Sequence, residues 1–178
     1  MKPKVRSSLT LSLFSYRRVR PWILLVVVSL TPTHFVFAES SALPTPKIIG
    51  ASWVYQTEGQ YHNVSADLVD AIEDRGMVVS YTAHLASMLQ RTAAATGAIK
   101  QVYDNAQSLL FCKADLTYEL TARNPHNITL CPYQISIYTL TDEPGSVFLA
   151  IRAPELSEPD YAAIHQLLEQ VIADTIAW

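Results

Sequence analysis

Residues 108–113 read Ser-Leu-Leu-Phe-Cys-Lys, and this stretch decides the fold class. An apolar run without polar interruption is typical of a strand inside a sheet, because such a strand is covered on both faces. Upstream, Met77 to Ala83 alternates between two faces, with Met77, Val79 and Tyr81 on one of them. That period of two predicts a second strand with one buried face.

Further stretches predict extended structure. Ile48 to His62, with aromatic residues around Glu58-Gly59, is expected to form an extended segment or a strand with a turn. Ile128 to Cys131 is rich in β-forming residues. Gln134 to Leu140 and Ser146 to Arg152 predict an antiparallel hairpin, because the Asp-Glu-Pro-Gly sequence between them favours a turn.

Helices are predicted where apolar residues recur every three or four positions. Asn63 or Ser65 is expected to cap the first helix, and Gly76 to end it. A second helix is expected from Leu85 to Gly97, with Met88 and its apolar neighbours turned toward the core.

Two later helices complete the pattern. Asp115 is the expected N-cap of a third helix, which halts at Asn124-Pro125. The last helix is expected to open at Ser157 to Asp160, which resembles a capping box, and to run to Trp178. Residues 48–178 therefore predict one α+β domain: a single small mixed or antiparallel sheet with helices packed on one face.

The first 38 residues have the three-part composition of a signal peptide. Six Lys and Arg and no acidic residue fill positions 1–20, an apolar run follows from Trp22 to Leu30, and Val36-Phe37-Ala38 resembles a cleavage site. We expect cleavage after Ala38, a flexible tether over residues 39–47, and a periplasmic or secreted protein. An uncleaved N-terminal anchor is the alternative.

Cleavage would leave an acidic chain, because seven of the thirteen Lys and Arg and all sixteen Asp and Glu lie after residue 38, a formal net charge of −9. Such a surface repels phosphate backbones and anionic lipids. We therefore expect no nucleic-acid partner and no membrane contact after cleavage. A periplasmic protein partner and a homodimer, with the apolar last helix covering a second subunit, are both compatible with the sequence.

Three motifs resemble the domain of unknown function 302 family. They are Val78 to His84 followed by Met88 to Thr92, then Leu110-Phe111-Cys112, then Leu130 to Tyr138. The similarity spans roughly residues 60–154 and is strongest to a secreted proteobacterial branch with two cysteines. The resemblance implies a small α+β sandwich, often dimeric, and brings no established reaction.

The chain departs from the cytosolic members of that family at both cysteines. Where the resemblance implies Phe-Gly-Asn-Pro and Leu-Asp-Leu-Pro, this chain has Phe-Cys-Lys-Ala around Cys112 and Thr-Leu-Cys-Pro around Cys131. A ligand site of the cytosolic branch therefore does not carry over, and both thiols stand at motif positions.

Cys112 and Cys131 are the only cysteines, and in an oxidising compartment they favour a disulfide, provided that the strands they flank are neighbours. Such a bond would stabilise a binding or accessory module with no reaction of its own. The alternative is a thiol redox protein, since Lys113 and a helix N-terminus lie close in sequence to Cys112. We lean against an enzyme, because the chain has no serine elbow, P-loop or dinucleotide fingerprint.

A metal or haem site is the other alternative for the cysteines. His84 and Met88 are four residues apart and would share one helix face, so these two residues with Cys112 and Cys131 could ligate copper or haem iron. No cofactor is required by the sequence. Arg91, Arg123 and Tyr133 are further candidates for ligand binding, the arginines because they can hold an anion bidentately.

Overall fold

A computed structural model describes residues 43–154 and 159–178. The elements in chain order are strand β1 (Lys47–Ile49), strand β2 (Ser52–Glu58), helix α1 (Tyr61–Asp74), strand β3 (Val78–Ala83), helix α2 (Leu85–Thr96), strand β4 (Tyr103–Cys112), helix α3 (Ala114–Arg123), a 3₁₀ helix (Pro125–Leu130), strand β5 (Tyr133–Leu140), strand β6 (Ser146–Arg152) and helix α4 (Pro159–Ala177). The expected signal peptide, residues 39–42 of the tether, and Ser157 and Glu158 of the expected capping box lie outside the described residues.

The six strands form one antiparallel sheet in the order β1-β2-β6-β5-β4-β3. The predicted hairpin is present as β5 and β6, and the apolar run at residues 108–113 is the end of a longer strand, β4, with a strand on either side. The α+β fold class with a single antiparallel sheet is therefore confirmed.

The core lies between one face of the sheet and helices α1 and α4, which also contact each other, and it includes Leu120 of α3. Alternate residues of the strands supply the sheet side of this core, among them Phe111, Ile135 and Leu149, each without solvent exposure. The predicted apolar positions of α1 and α4 supply the other side, including Leu68 and Ile172. Burial of these side chains is the main stabilising contribution to the fold.

The prediction of extended structure at Ile128 to Cys131 is wrong, because residues 125–130 form the 3₁₀ helix. Pro125 occupies its first turn, where the fixed φ of proline favours a helical start. The side chain of Asn124 accepts a hydrogen bond from the His126 N–H at 3.0 Å. This local cap outweighs the β propensity of Ile128 and Thr129.

Two predicted caps are also wrong. Helix α1 begins at Tyr61 with Gln60 as its N-cap, so Asn63 and Ser65 lie inside the first turns. Helix α3 is preceded by Lys113, and Asp115 lies in the first turn, where a carboxylate interacts favourably with the helix dipole.

The expectation that α2 turns its apolar residues toward the core is wrong. No residue of α2 is buried, and Met88 and Leu89 are 40% and 46% exposed. The main core has α1, α4 and Leu120 of α3 on its helix side and takes no residue from α2, which contacts strand β4. The end of α2 is as predicted, with Gly97 in the left-handed conformation that glycine adopts without strain.

Candidate functional site

A disulfide joins Cys112, the last residue of β4, to Cys131, the residue after the 3₁₀ helix, with 5.8 Å between the Cα atoms. Both residues are half-buried, and Cys131 packs against the main core. The bond closes a loop that contains α3 and the 3₁₀ helix. The predicted disulfide is thus present.

The cation next to this disulfide is already paired. The Nζ of Lys113 donates to the two carboxylate oxygens of Asp115 at 2.9 and 2.7 Å. Hydrogen bonding to Lys113 and to the Leu116 N–H lowers the pKa of Asp115 below its ordinary value. The positive charge that a reactive thiolate at Cys112 would need therefore lies beside a carboxylate.

The disulfide lies just beyond the last register pair of β4 with β5, which is Phe111 with Tyr133. The rings of these two residues also meet edge to face, with 6.2 Å between their centroids. Because Cys131 is tied to the end of β4, the beginning of β5 is held on β4.

Strands β5 and β6 separate at this same end of the sheet. Their register runs from Tyr138 with Phe148 to Ser136 with Ala150 and goes no further. Beyond that point β5 continues on β4 as far as Tyr133, whereas β6 continues on β2 as far as Arg152. The centre of the sheet therefore opens into a fork. We define the fork as the gap between residues 133–135 of β5 and residues 151–153, which are the end of β6 and the residue after it.

Main-chain hydrogen-bonding groups of both strands point into the fork. The Ala153 N–H donates to the Ala51 carbonyl at 2.9 Å, so odd-numbered residues of β6 direct their N–H and C=O toward β2. Even-numbered residues must face β5, which makes Ser136 and Ala150 a hydrogen-bonded pair.

Gln134 and Arg152 would form the next such pair, but they are not paired. Their N–H and C=O groups face the gap, and the register of β5 with β6 does not pair the two residues across it. Main-chain groups in such positions bind water or a ligand, since an unsatisfied pair is costly. The fork thus presents two donors and two acceptors.

A cleft of about 860 Å³ occupies the fork. We call its four large apolar lining residues the floor: Leu130, Tyr133, Ile151 and Ile164. We call its polar lining residues the rim: Ser52, Thr129, Gln134, Ser136, Arg152 and Tyr161. An apolar floor with a few polar groups at fixed positions is typical of small-molecule sites, and this volume lies within the range of roughly 300–1,000 Å³ that such sites occupy.

The charge of the fork cleft comes from Arg152, the one Asp, Glu, Lys or Arg among the described residues that line it. Its guanidinium forms no ion pair with any described residue. Burial raises the pKa of the neighbouring Tyr161, an effect that the charge of Arg152 opposes without cancelling. Tyr161 is therefore a neutral hydroxyl at physiological pH, able to donate and accept.

The Gln134 side chain lies along the sheet surface at the cleft rim. Its amide nitrogen is 3.1 Å from the Ser108 hydroxyl and 3.3 Å from that of Ser136. These contacts leave the side-chain carbonyl oxygen of Gln134 without a hydrogen-bond partner among the described residues.

Of the predicted ligand-binding residues, Tyr133 alone lines the fork cleft. It is buried, its hydroxyl lies 3.1 Å from the Thr117 hydroxyl, and burial raises its pKa. Arg123 contacts Asp160 at 3.2 Å and Glu119 at 3.8 Å, so its charge is balanced. Arg91 lies on exposed α2 and donates to Ser87 of the same helix.

The structure does not bring His84 and Met88 to the cysteines. Val78 is opposite Cys112 in the register of β3 with β4, and His84 lies six residues further along. At about 3.3 Å per residue, this places His84 roughly 20 Å from Cys112 along the sheet. Across the described part of the chain, no three His, Cys, Asp or Glu side chains cluster as metal ligands would.

A buried polar group connects α4 to β2. His165 is 5% exposed, its Nδ1 lies 3.4 Å from a carboxylate oxygen of Glu169, and the Trp53 ring meets it edge to face. The Tyr55 hydroxyl donates to the other oxygen of Glu169 at 3.2 Å. Burial and this carboxylate raise the pKa of Tyr55. The group fixes α4 on the sheet at one side of the fork.

Sequence reasoning missed Gln134, Arg152 and Tyr161 as site residues. Gln134 and Arg152 are the polar ends of predicted strands, and Tyr161 is in the first turn of a predicted helix. No local pattern marks them, because their proximity follows from where two strands cease to pair.

A second, smaller cleft of about 350 Å³ lies between α3 and α4. It is lined by the paired Lys113 and Asp115 and by polar residues of α4 such as Gln166 and Gln170. Its cation, Lys113, is neutralised by Asp115, and no described strand residue lines it. It is therefore a suitable internal comparison for binding experiments.

The family description "Domain of unknown function DUF302" matches residues 53–177, which is most of the chain. The chain belongs to this family. The predicted resemblance to this family is confirmed, and the match extends beyond residue 154 to include α4. No curated protein matches the chain significantly.

A solved DUF302 structure supports the fold. The uncharacterized conserved DUF302 protein from Bacillus stearothermophilus is similar to this chain with a TM-score of 0.50 and 14% sequence identity. The match covers 72% of this chain and 94% of that one. At this identity the similarity concerns the fold alone.

The described residues contain no helix with the length and apolar character of a membrane span.

Proposed function

We propose that this DUF302 protein is an exported, disulfide-stabilised binding domain whose ligand occupies the fork cleft. The observation that carries the proposal is the unpaired main chain of Gln134 and Arg152, which faces a cleft with an apolar floor. Polar groups at fixed positions give a site its specificity, and an apolar floor gives it affinity.

The disulfide supports both parts of the proposal. Disulfides persist in oxidising compartments and are rare in the cytosol, which agrees with the predicted signal peptide and a periplasmic or secreted protein of the two-cysteine branch. The same bond holds the start of β5 on β4 and thereby keeps one wall of the fork in place.

Thiol redox chemistry is the second candidate. Cys112 lies two residues before the first residue of α3, and a helix N-terminus favours a thiolate. The Asp115 carboxylate accepts hydrogen bonds from the Leu116 N–H at this helix start and from the Lys113 ammonium, and it disfavours a thiolate at the same place. The binding function therefore ranks first.

Fragment mapping by NMR tests the binding function. We expect neutral amides, alcohols and carboxylic acids at millimolar concentration to shift the backbone amides of Gln134, Ser136 and Arg152 in protein produced from the full-length sequence. The amides of Gln166 and Gln170 in the second cleft are the internal comparison and should not respond. If the amides of the fork do not shift, or if those of both clefts shift equally, the fork cleft is not a specific ligand site.

A further inference from the structure

We propose that the fork cleft binds the C-terminal end of an extended peptide, with the terminal carboxylate against Arg152 and the preceding amide between the two separated strands. This inference rests on the proposed function and names the ligand class of the same site.

The unpaired main chain favours a ligand that both donates and accepts hydrogen bonds. Gln134 and Arg152 each direct one N–H and one C=O into the gap. A simple anion can accept from the two N–H groups but leaves both carbonyls unsatisfied and facing its charge. A peptide unit carries one donor and one acceptor, so it matches the edge of a strand, as in recognition by strand addition.

The charge of the cleft favours a carboxylate on that ligand. Arg152 supplies the one formal charge of the described lining residues and has no ion-pair partner among the described residues. A guanidinium can bind a carboxylate through two parallel hydrogen bonds.

The shape of the fork favours a chain end over the middle of a chain. Paired strands are about 4.8 Å apart, and a third strand between them would need about twice that spacing. At Ser136 and Ala150 the strands are still paired, so the base of the fork admits only a terminal group. The floor formed by Leu130, Ile151 and Ile164 suits an apolar side chain on the last residue.

Two matched peptides test this assignment. We expect N-acetyl-Ala-Ala-Leu with a free carboxylate to bind about tenfold more tightly than the same peptide with a C-terminal amide, because hydrogen bonds to charged groups are the stronger ones. Affinity is measured by calorimetry on protein from the full-length sequence, and NMR shifts at Gln134 and Arg152 locate the site.

Substitution of the cation gives the second arm. Arg152→Gln should weaken binding of the free acid about tenfold and leave binding of the amide unchanged. Arg91→Gln removes an exposed arginine from α2 and should change neither. Arg152→Lys keeps the charge and loses the bidentate geometry, so its affinity for the acid should lie between wild type and Arg152→Gln.

Several outcomes would overturn the inference. Equal binding of acid and amide would exclude recognition of the carboxylate, and full competition by acetate would show that an anion alone is bound. If fragments shift the amide signals of the fork but neither peptide does, the proposed ligand class is wrong and the binding function stands. If neither fragments nor peptides shift the fork, the binding function itself fails.

Discussion

The substitution Phe111→Ala is expected to lower the free energy of unfolding by about 3–5 kcal/mol. Phe111 has no solvent exposure, lies on the core face of β4 and meets Tyr133 edge to face. The substitution removes the transfer energy of the ring and leaves a cavity that the close-packed surroundings fill only in part.

The loss at Phe111 would be a large share of the total stability, because domains of this size are stable by roughly 5–15 kcal/mol. Urea denaturation monitored by circular dichroism measures it. Tyr118→Ala on α3 is the matched control, since that ring is 78% exposed, and it should change stability by less than about 0.5 kcal/mol. Similar losses for both variants would show that Phe111 is not in a close-packed core.

Removing the disulfide by the double substitution Cys112→Ala and Cys131→Ala is expected to lower the free energy of unfolding by about 3 kcal/mol. The bond closes a loop with a sequence separation of 19, and without it the unfolded chain gains the conformational freedom of that loop. Urea denaturation of the oxidised wild type and of the variant measures the difference.

Reduction provides the control for the disulfide. Dithiothreitol should lower the stability of wild type toward that of the double variant and should leave the variant unchanged. On reduction, the NMR shifts of the backbone amides of residues 133–136 should change more than those of α1, because the bond holds the start of β5 on β4. Equal stability of wild type and variant under oxidising conditions would show that the bond does not stabilise the domain.

The parts of the fold that sequence predicted are those determined by neighbours along the chain. The apolar run ending at Cys112, the turn before Ser146 and the periodic stripe of α4 each contain their own signal, so the sheet, the hairpin and the last helix followed. The disulfide followed as well, because strands that are consecutive in the chain usually lie next to each other in the sheet.

The fork was not predictable in this way. It depends on β2 pairing with β6, residues about a hundred positions apart, and on the point at which β5 and β6 stop pairing. From the sequence, Arg152 and Gln134 are therefore predicted only as the polar ends of two strands. The prediction that Met88 faces the core was wrong for a related reason. Helix α2 does have an apolar stripe, but the core takes its helix residues from other helices, chiefly α1 and α4.

Amide hydrogen exchange at the fork tests the central claim most directly, because the decisive comparison is made in the free protein and requires no ligand. The amides of Ala150 and Ser136 belong to a hydrogen-bonded pair and should exchange slowly, through opening of the sheet. The amides of Arg152 and Gln134, two residues away on the same strands, should exchange near the rate of an unprotected amide, and saturating N-acetyl-Ala-Ala-Leu should slow them. If Arg152 and Gln134 are as protected as Ala150 and Ser136 in the free protein, the strands pair to their ends and the fork does not exist.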